Sequence, residues 1–132
     1  MAIQVMNKTI FCTGVFFGVL AVVLGAFGAH GLNNLVSSGE IDTFKTGVTY
    51  QMYHALFLLI LGGVKSIPEE EKKLVYYLIV SGIVFFSFSI YLLATNSLTG
   101  FDFRTIGFIT PIGGLLLILG WLIFGYRAYR KL

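Results

Sequence analysis

The sequence predicts an all-α fold: a polytopic membrane protein built as a four-transmembrane-helix bundle, with N- and C-termini both cytoplasmic. Three observations predict it. Of the 132 residues, 57% are hydrophobic and 11% charged. Four long stretches, residues 9–29, 46–64, 74–101 and 105–126, contain no Asp, Glu, Lys or Arg. The basic residues gather in alternate loops. A soluble domain carries roughly 25% charged residues, and a chain this short keeps much of its surface exposed, so the apolar excess calls for lipid as solvent. The length suits a single domain spanning residues 1–132.

The first stretch has the ~20 apolar residues that cross a hydrocarbon core, and predicts a helix over 9–29. Lys8 followed by an apolar run and Ala26-Phe27-Gly28 also suggests a cleaved signal peptide. A run of about 20 residues exceeds the usual signal h-region, so a retained helix is expected. The second stretch is the shortest and holds Tyr50, Gln51 and His54. Its upstream flank extends it: Ser37 and Glu40 have capping-box spacing, and carboxylates suit a helix N-terminus. A helix over 40–64 follows, its first turns at headgroup level. The intervening segment 31–44 reads as a loop, or as a short amphipathic stretch in the outer interface.

In the third stretch, Thr95, Asn96, Ser97, Thr99 and Gly100 turn the chain polar and end the helix near 96. Ser66 and Glu69 repeat the capping spacing upstream, and Pro68 suits a first turn, which starts the helix at 69. The fourth stretch predicts a helix over 105–127, with Trp121, Tyr126 and Tyr129 in an inner aromatic belt. Asp102 and Arg104 mark the outer polar boundary.

Orientation follows from lysine and arginine placement. Lys8, Lys65, Lys72, Lys73, Arg127, Arg130 and Lys131 fall on one side of the predicted spans, Lys45 and Arg104 on the other. Seven against two places the N-terminus, the middle loop and the C-terminus in the cytoplasm. The lipid bilayer is the first partner implied, with a homo-oligomer or another membrane protein as a further one. No basic stripe with interleaved aromatics occurs, so nucleic acid is not expected. The single cysteine, Cys12, rules out an intrachain disulfide and reads as a small buried hydrophobe.

Glycine spacing supplies the packing surfaces. Gly14, Gly18, Ala21, Gly25 and Gly28 share one face of the first helix, and such small residues let membrane helices approach closely. In the fourth, Gly107, Gly114, Ile118, Trp121 and Gly125 share a face that Gly113, Leu117 and Gly120 flank. Packing within one monomer is the reading, with self-association as the alternative. Pro111, in Thr110-Pro111-Ile112-Gly113-Gly114, deletes a helical hydrogen bond and predicts a kink; a broken helix beside a cavity is its functional alternative.

The second helix carries the most informative polar group. Thr43, Gly47, Tyr50, Gln51 and His54 lie at helical spacing on one face. Ionisable groups inside a membrane are costly and face the bundle or a water-filled cavity, so His54, Gln51 and Tyr50 should point inward against the first or fourth helix. A histidine can move a proton or ligate a metal; a neutral imidazole held by interhelical bonds is the plainer role. His30 closes the first helix at the outer boundary. With Pro111 at similar depth, residues 25–32 and 110–114 are expected to meet, His30 or the Thr110 hydroxyl serving the carbonyl that Pro111 frees. No HExxH, carboxylate cluster, Ser–His–Asp or Cys–His arrangement is present, so no catalytic residue, cofactor or metal site is assigned.

Residues 25–32 (GAFGAHGL), 44–59 (FKTGVTYQMYHALFLL), 86–93 (FSFSIYLL) and 110–121 (TPIGGLLLILGW) together make the chain resemble domain-of-unknown-function family 423, the YwdK and YgdD type, which is also similar to animal transmembrane protein 256. The resemblance covers nearly the whole chain. It implies a four-helix protein of the bacterial cytoplasmic (inner) membrane, and it implies no activity. The expectation is a non-enzymatic accessory or interaction protein. Two alternatives stand beside it: a carrier or pore for a small solute or proton lined by His54, Gln51 and Tyr50, and a haem- or quinone-binding subunit using His54.

Overall fold

A computed structural model describes residues 7–131; the chain ends expected to face the cytoplasm, residues 1–6 and 132, lie outside the described residues. Its long elements are α1 (Lys8–His30), α2 (Ser38–Gly63), α3 (Glu69–Ile83), α4 (Ser89–Ala94) and α5 (Ile109–Lys131). A five-residue π-helical turn, Val84–Phe88, joins α3 to α4 without interruption, so the two form one rod. Short 3-10 turns occupy Leu32–Asn34, Asn96–Leu98 and Phe103–Ile106. Three segments are long and apolar enough to cross a membrane: Lys8–Asn34, Glu69–Ala94 and Phe103–Lys131.

Local chemistry sets the helix starts. The Asn7 side chain accepts from the Ile10 amide at 3.0 Å and opens α1. The Ser37–Glu40 capping box forms in both directions, at 3.2 Å and 3.0 Å, and opens α2 at Ser38. No matching box forms at Ser66–Glu69. The Glu69 carboxylate is held elsewhere, by Asn7 Nδ2 at 2.7 Å and Lys72 Nζ at 3.2 Å. The fourth predicted helix begins four residues later than 105, because Asp102 caps a 3-10 turn over Phe103–Ile106. Pro111 therefore falls in the first turn of α5, where amides have no intrahelical partner, and the Gly107 carbonyl accepts from Thr110 at 3.3 Å. The kink, with a freed carbonyl seeking a donor, is not what the proline produces.

α1 packs on α2, α2 on the rod, and α5 on the rod, so α1 and α5 occupy opposite flanks. α2 is the central element, burying Ile41, Phe44, Phe57, Leu58 and Leu61 among others. Glycines make the close approaches. A Cβ at Gly14 would sit 2.8 Å from the Ala55 carbonyl oxygen, and one at Gly62 would sit 2.8 Å from the Phe11 amide. On the other flank Gly82 meets Leu117, Gly113 meets the backbone of Phe85 and Phe86, and Gly120 meets Ile79. The buried face of α5 is thus Gly113, Leu117 and Gly120; Ile118 and Trp121, predicted to share the packing face, are half exposed. Cys12, expected to be buried, is exposed on the outward side of α1.

This order overturns the expected meeting of residues 25–32 with 110–114. Gly28 abuts Phe44 and Gly25 abuts Val48, both on α2, while Thr110 and Gly113 contact the rod. The small-residue surface of α1 does admit a close neighbour, but α2 takes it. His30 stays exposed, its carbonyl accepting from Asn34 Nδ2 at 3.4 Å. Leu32, in the segment read as a surface loop, is fully buried with Ile41, Phe44 and Ala94.

Each end of the bundle has its own charge chemistry. At one end the start of α1 meets the start of α3 through Asn7–Glu69. There Arg127, Arg130 and Lys131 at the end of α5 converge on Glu71, and Arg127 also donates to the Glu71 carbonyl. Lys72 is buried at this end with only its Glu69 ion pair. At the opposite end Arg104 grips Asp102 through two bonds of 2.9 Å and 3.0 Å, which holds the Asp102 carboxyl at about 2.

Candidate functional site

The site grows from the polar face of α2, where Gly47, Gln51 and His54 succeed one another at helical spacing and all are buried. Gln51 is fully buried. Its amide nitrogen donates to the Phe17 carbonyl of α1 at 2.9 Å, and its oxygen accepts from the Tyr91 hydroxyl of α4 at 2.6 Å. One side chain therefore ties three helices. One turn earlier, Ser87 of the π-helical turn donates to the Gly47 carbonyl at 2.8 Å.

His54 is bound on both ring nitrogens. Trp121 Nε1 of α5 donates to His54 Nε2 at 3.0 Å, and His54 Nδ1 lies 2.6 Å from the Tyr50 carbonyl. An indole N–H only donates, and a carbonyl only accepts. These two partners fix one arrangement: neutral imidazole, proton on Nδ1, lone pair on Nε2. Protonating Nε2 would break the Trp121 bond. Phe57 packs edge-on against Trp121, with ring centroids 4.5 Å apart.

The π-helical turn is the third component. Its wide turn leaves carbonyls out of the regular ladder. The Ser89 hydroxyl lies 2.6 Å from the Phe85 carbonyl and 2.9 Å from that of Phe86. Since that hydrogen points into the π-turn, the Thr110 hydroxyl is the donor in its 2.5 Å contact with Ser89. Thr110 thus serves the rod rather than α1. Gly113 lies so close to the backbone of Phe85 and Phe86 that any Cβ would overlap it.

Between α2, the rod and α5 lies a cleft of about 360 Å³ lined by Tyr50, His54, Phe86, Gly114, Ile118 and Trp121. Tyr50 does not turn inward with Gln51: it is 41% exposed at the cleft rim, edge-on to Tyr53 and Phe86. Its position is 100° before Gln51 on the helix, enough to carry it off the buried face. Pro111 is exposed, and so remote in role from His54. Among the described residues, no three His, Cys, Asp or Glu side chains converge as metal ligands.

Sequence reasoning missed Tyr91, Ser87 and Ser89, although FSFSIYLL places hydroxyls at every second or third position of an apolar run. It also assigned Trp121 to a belt, whereas Trp121 is the donor that fixes His54.

A buried polar seam inside apolar helices defines the class: a small helical membrane protein. The sequence model of the family described as "Protein of unknown function (DUF423)" matches residues 24–114. A UPF0382 membrane protein of Staphylococcus saprophyticus is 43% identical over 123 residues, 93% of this chain and 98% of the relative. UPF0382 membrane protein YwdK of Bacillus subtilis is 35% identical over 132 residues, 95% of this chain and 99% of its own. The chain belongs to this family of bacterial membrane proteins. No solved structure matches it.

Proposed function

We propose that the chain is a single-domain, four-span protein of the bacterial cytoplasmic membrane, N-in and C-in, acting as a non-enzymatic accessory protein. The closed polar seam carries this reading. Gln51 is used up between Phe17 and Tyr91, and His54 between Tyr50 and Trp121. A carrier needs polar groups that exchange partners with a moving solute; here each exchange breaks an interhelical bond. Rigid spacing of four helices, with aromatic side chains turned outward at Tyr50, Tyr53 and Trp121, suits a protein that holds something beside it.

The lower hydropathy of α2 is compatible with a fourth span, because its polar residues face protein rather than lipid. The orientation draws support from the charge ledger: Lys8, Lys72, Arg127, Arg130 and Lys131 belong to one end, and basic loops stay cytoplasmic.

The test has two parts. Reporters fused after Leu132 and within residues 66–71 should read cytoplasmic, those near Ser38 and Thr99 external; a periplasmic C-terminus defeats the topology. Proteoliposomes should pass protons no faster than empty vesicles. A flux that His54→Ala abolishes would make the carrier reading the right one.

A further inference from the structure

We propose that the cleft between α2, the π-helical turn and α5 is a binding site for the ring of a membrane-dissolved isoprenoid quinone. The proposal rests on the reading of α2 and α5 as spans. Tyr50 stands twelve residues into α2 from Ser38, and Trp121 twelve residues into α5 from Ile109. At 1.5 Å per residue both lie about 18 Å along their helices, near the middle of a hydrocarbon core of about 30 Å.

That depth is the wrong place for these side chains to meet plain lipid. Tyrosine and tryptophan favour the headgroup boundary, where the polar tip stays wet. Here Tyr50, Trp121 and Ile118 form a rim that is 41%, 50% and 56% exposed. Among the described residues the Tyr91 hydroxyl bonds Gln51 and the Tyr76 hydroxyl bonds Thr13, while Tyr50 bonds through its carbonyl only. An O–H without an acceptor in hydrocarbon is costly. The occupant must therefore bring an acceptor.

It must also be flat and arrive from the bilayer. The walls are the rings of Tyr50, His54, Phe86 and Trp121, and Gly114 leaves the space between α5 and Phe86 unfilled. A volume of about 360 Å³ falls in the range of small-ligand pockets with few polar groups. A quinone ring meets each requirement: planar, carbonyl oxygens as acceptors, an apolar tail that stays in lipid. An acyl chain brings neither plane nor acceptor. The ring lies between Phe86 and Trp121 with one carbonyl accepting from Tyr50; His54 keeps Trp121 upright. Only binding is inferred, with no electron transfer.

Trp121 is the sole tryptophan, so its fluorescence reports on this cleft alone. The full chain in nanodiscs is titrated with a one-isoprene ubiquinone. Saturable quenching is expected. Gly114→Leu, which fills the cleft, should weaken the apparent affinity at least about tenfold, and Tyr50→Phe about fivefold through the lost hydrogen bond. Circular dichroism checks that Gly114→Leu is folded. If it is not, Ile118→Phe at the exposed rim narrows the mouth and should weaken affinity in its place. Quenching linear in quinone, and equal in wild type and variants, overturns the proposal. It does so without touching the topology or accessory readings, which the fusions and flux assay judge separately.

Discussion

Gln51 and His54 stand one turn apart on α2, both buried, both bonded at each polar end, yet their surroundings differ. The partners of Gln51 are themselves locked: Phe17 is core backbone, and Tyr91 is wedged against Gly47 and Phe44. The partner of His54 is an indole half open to the outside, beside a cleft. The same interhelical hydrogen bond therefore acts as a tie in one place and as a hinge-side support in the other. Burial of a polar group alone does not say which; the next shell of packing does.

Four substitutions would break or sharpen that contrast, read as unfolding midpoints in mixed dodecylmaltoside–SDS micelles. Gly47→Ala should be the most damaging. Its Cβ would stand 2.7 Å from the Tyr91 ring, so Tyr91 must leave both its packing site and Gln51, at about 3 kcal/mol. A value near zero would mean the tie is soft. Gln51→Leu keeps the volume but strands the Phe17 carbonyl and the Tyr91 hydroxyl, and should cost about 2 kcal/mol. Trp121→Phe removes one interhelical bond on the yielding side and should cost about 0.6 kcal/mol; a loss matching that of Gln51→Leu would erase the distinction. Gly114→Ala should fall within about 0.5 kcal/mol of wild type, because its Cβ meets Phe86 at an ordinary 3.6 Å.

Much of the architecture was readable before any coordinates. Uncharged runs announced apolar helices, the Ser37–Glu40 box marked the start of α2 to the residue, and a polar group in a lipid-soluble helix had to turn inward, as Gln51 and His54 do. What failed was the choice of neighbour. A stripe of small residues tells that something comes close, and Gly25 and Gly28 do touch a helix, but spacing cannot say whether it is α2 or α5. On α5 two glycine-bearing faces lie one residue apart. Gly113 rather than Gly114 meets the rod because the π-helical turn brings the backbone of Phe85 and Phe86 forward there, and no pattern in residues 84–88 announces such a turn. Pro111 misled for a simpler reason: its effect depends on where the helix starts, and Asp102 delays that start. Lys72, counted as a loop cation, is buried because Glu69 is drawn to Asn7, a contact across 62 positions.

The π-helical turn also makes the rod intolerant of a change in length. Five residues there occupy what would be a tighter turn of ordinary helix, so the chain carries a phase offset that everything downstream inherits. Deleting one residue between Val84 and Phe88 would let the segment relax to an unbroken α-helix and rotate Ser89, Tyr91 and Ala94 by about 100° relative to α3. Tyr91 would swing away from Gln51 and Ser89 from Thr110, although neither residue had been altered. Counting residues between Ser81 and Tyr91 is thus as strict a requirement on this protein as the identity of the residues counted.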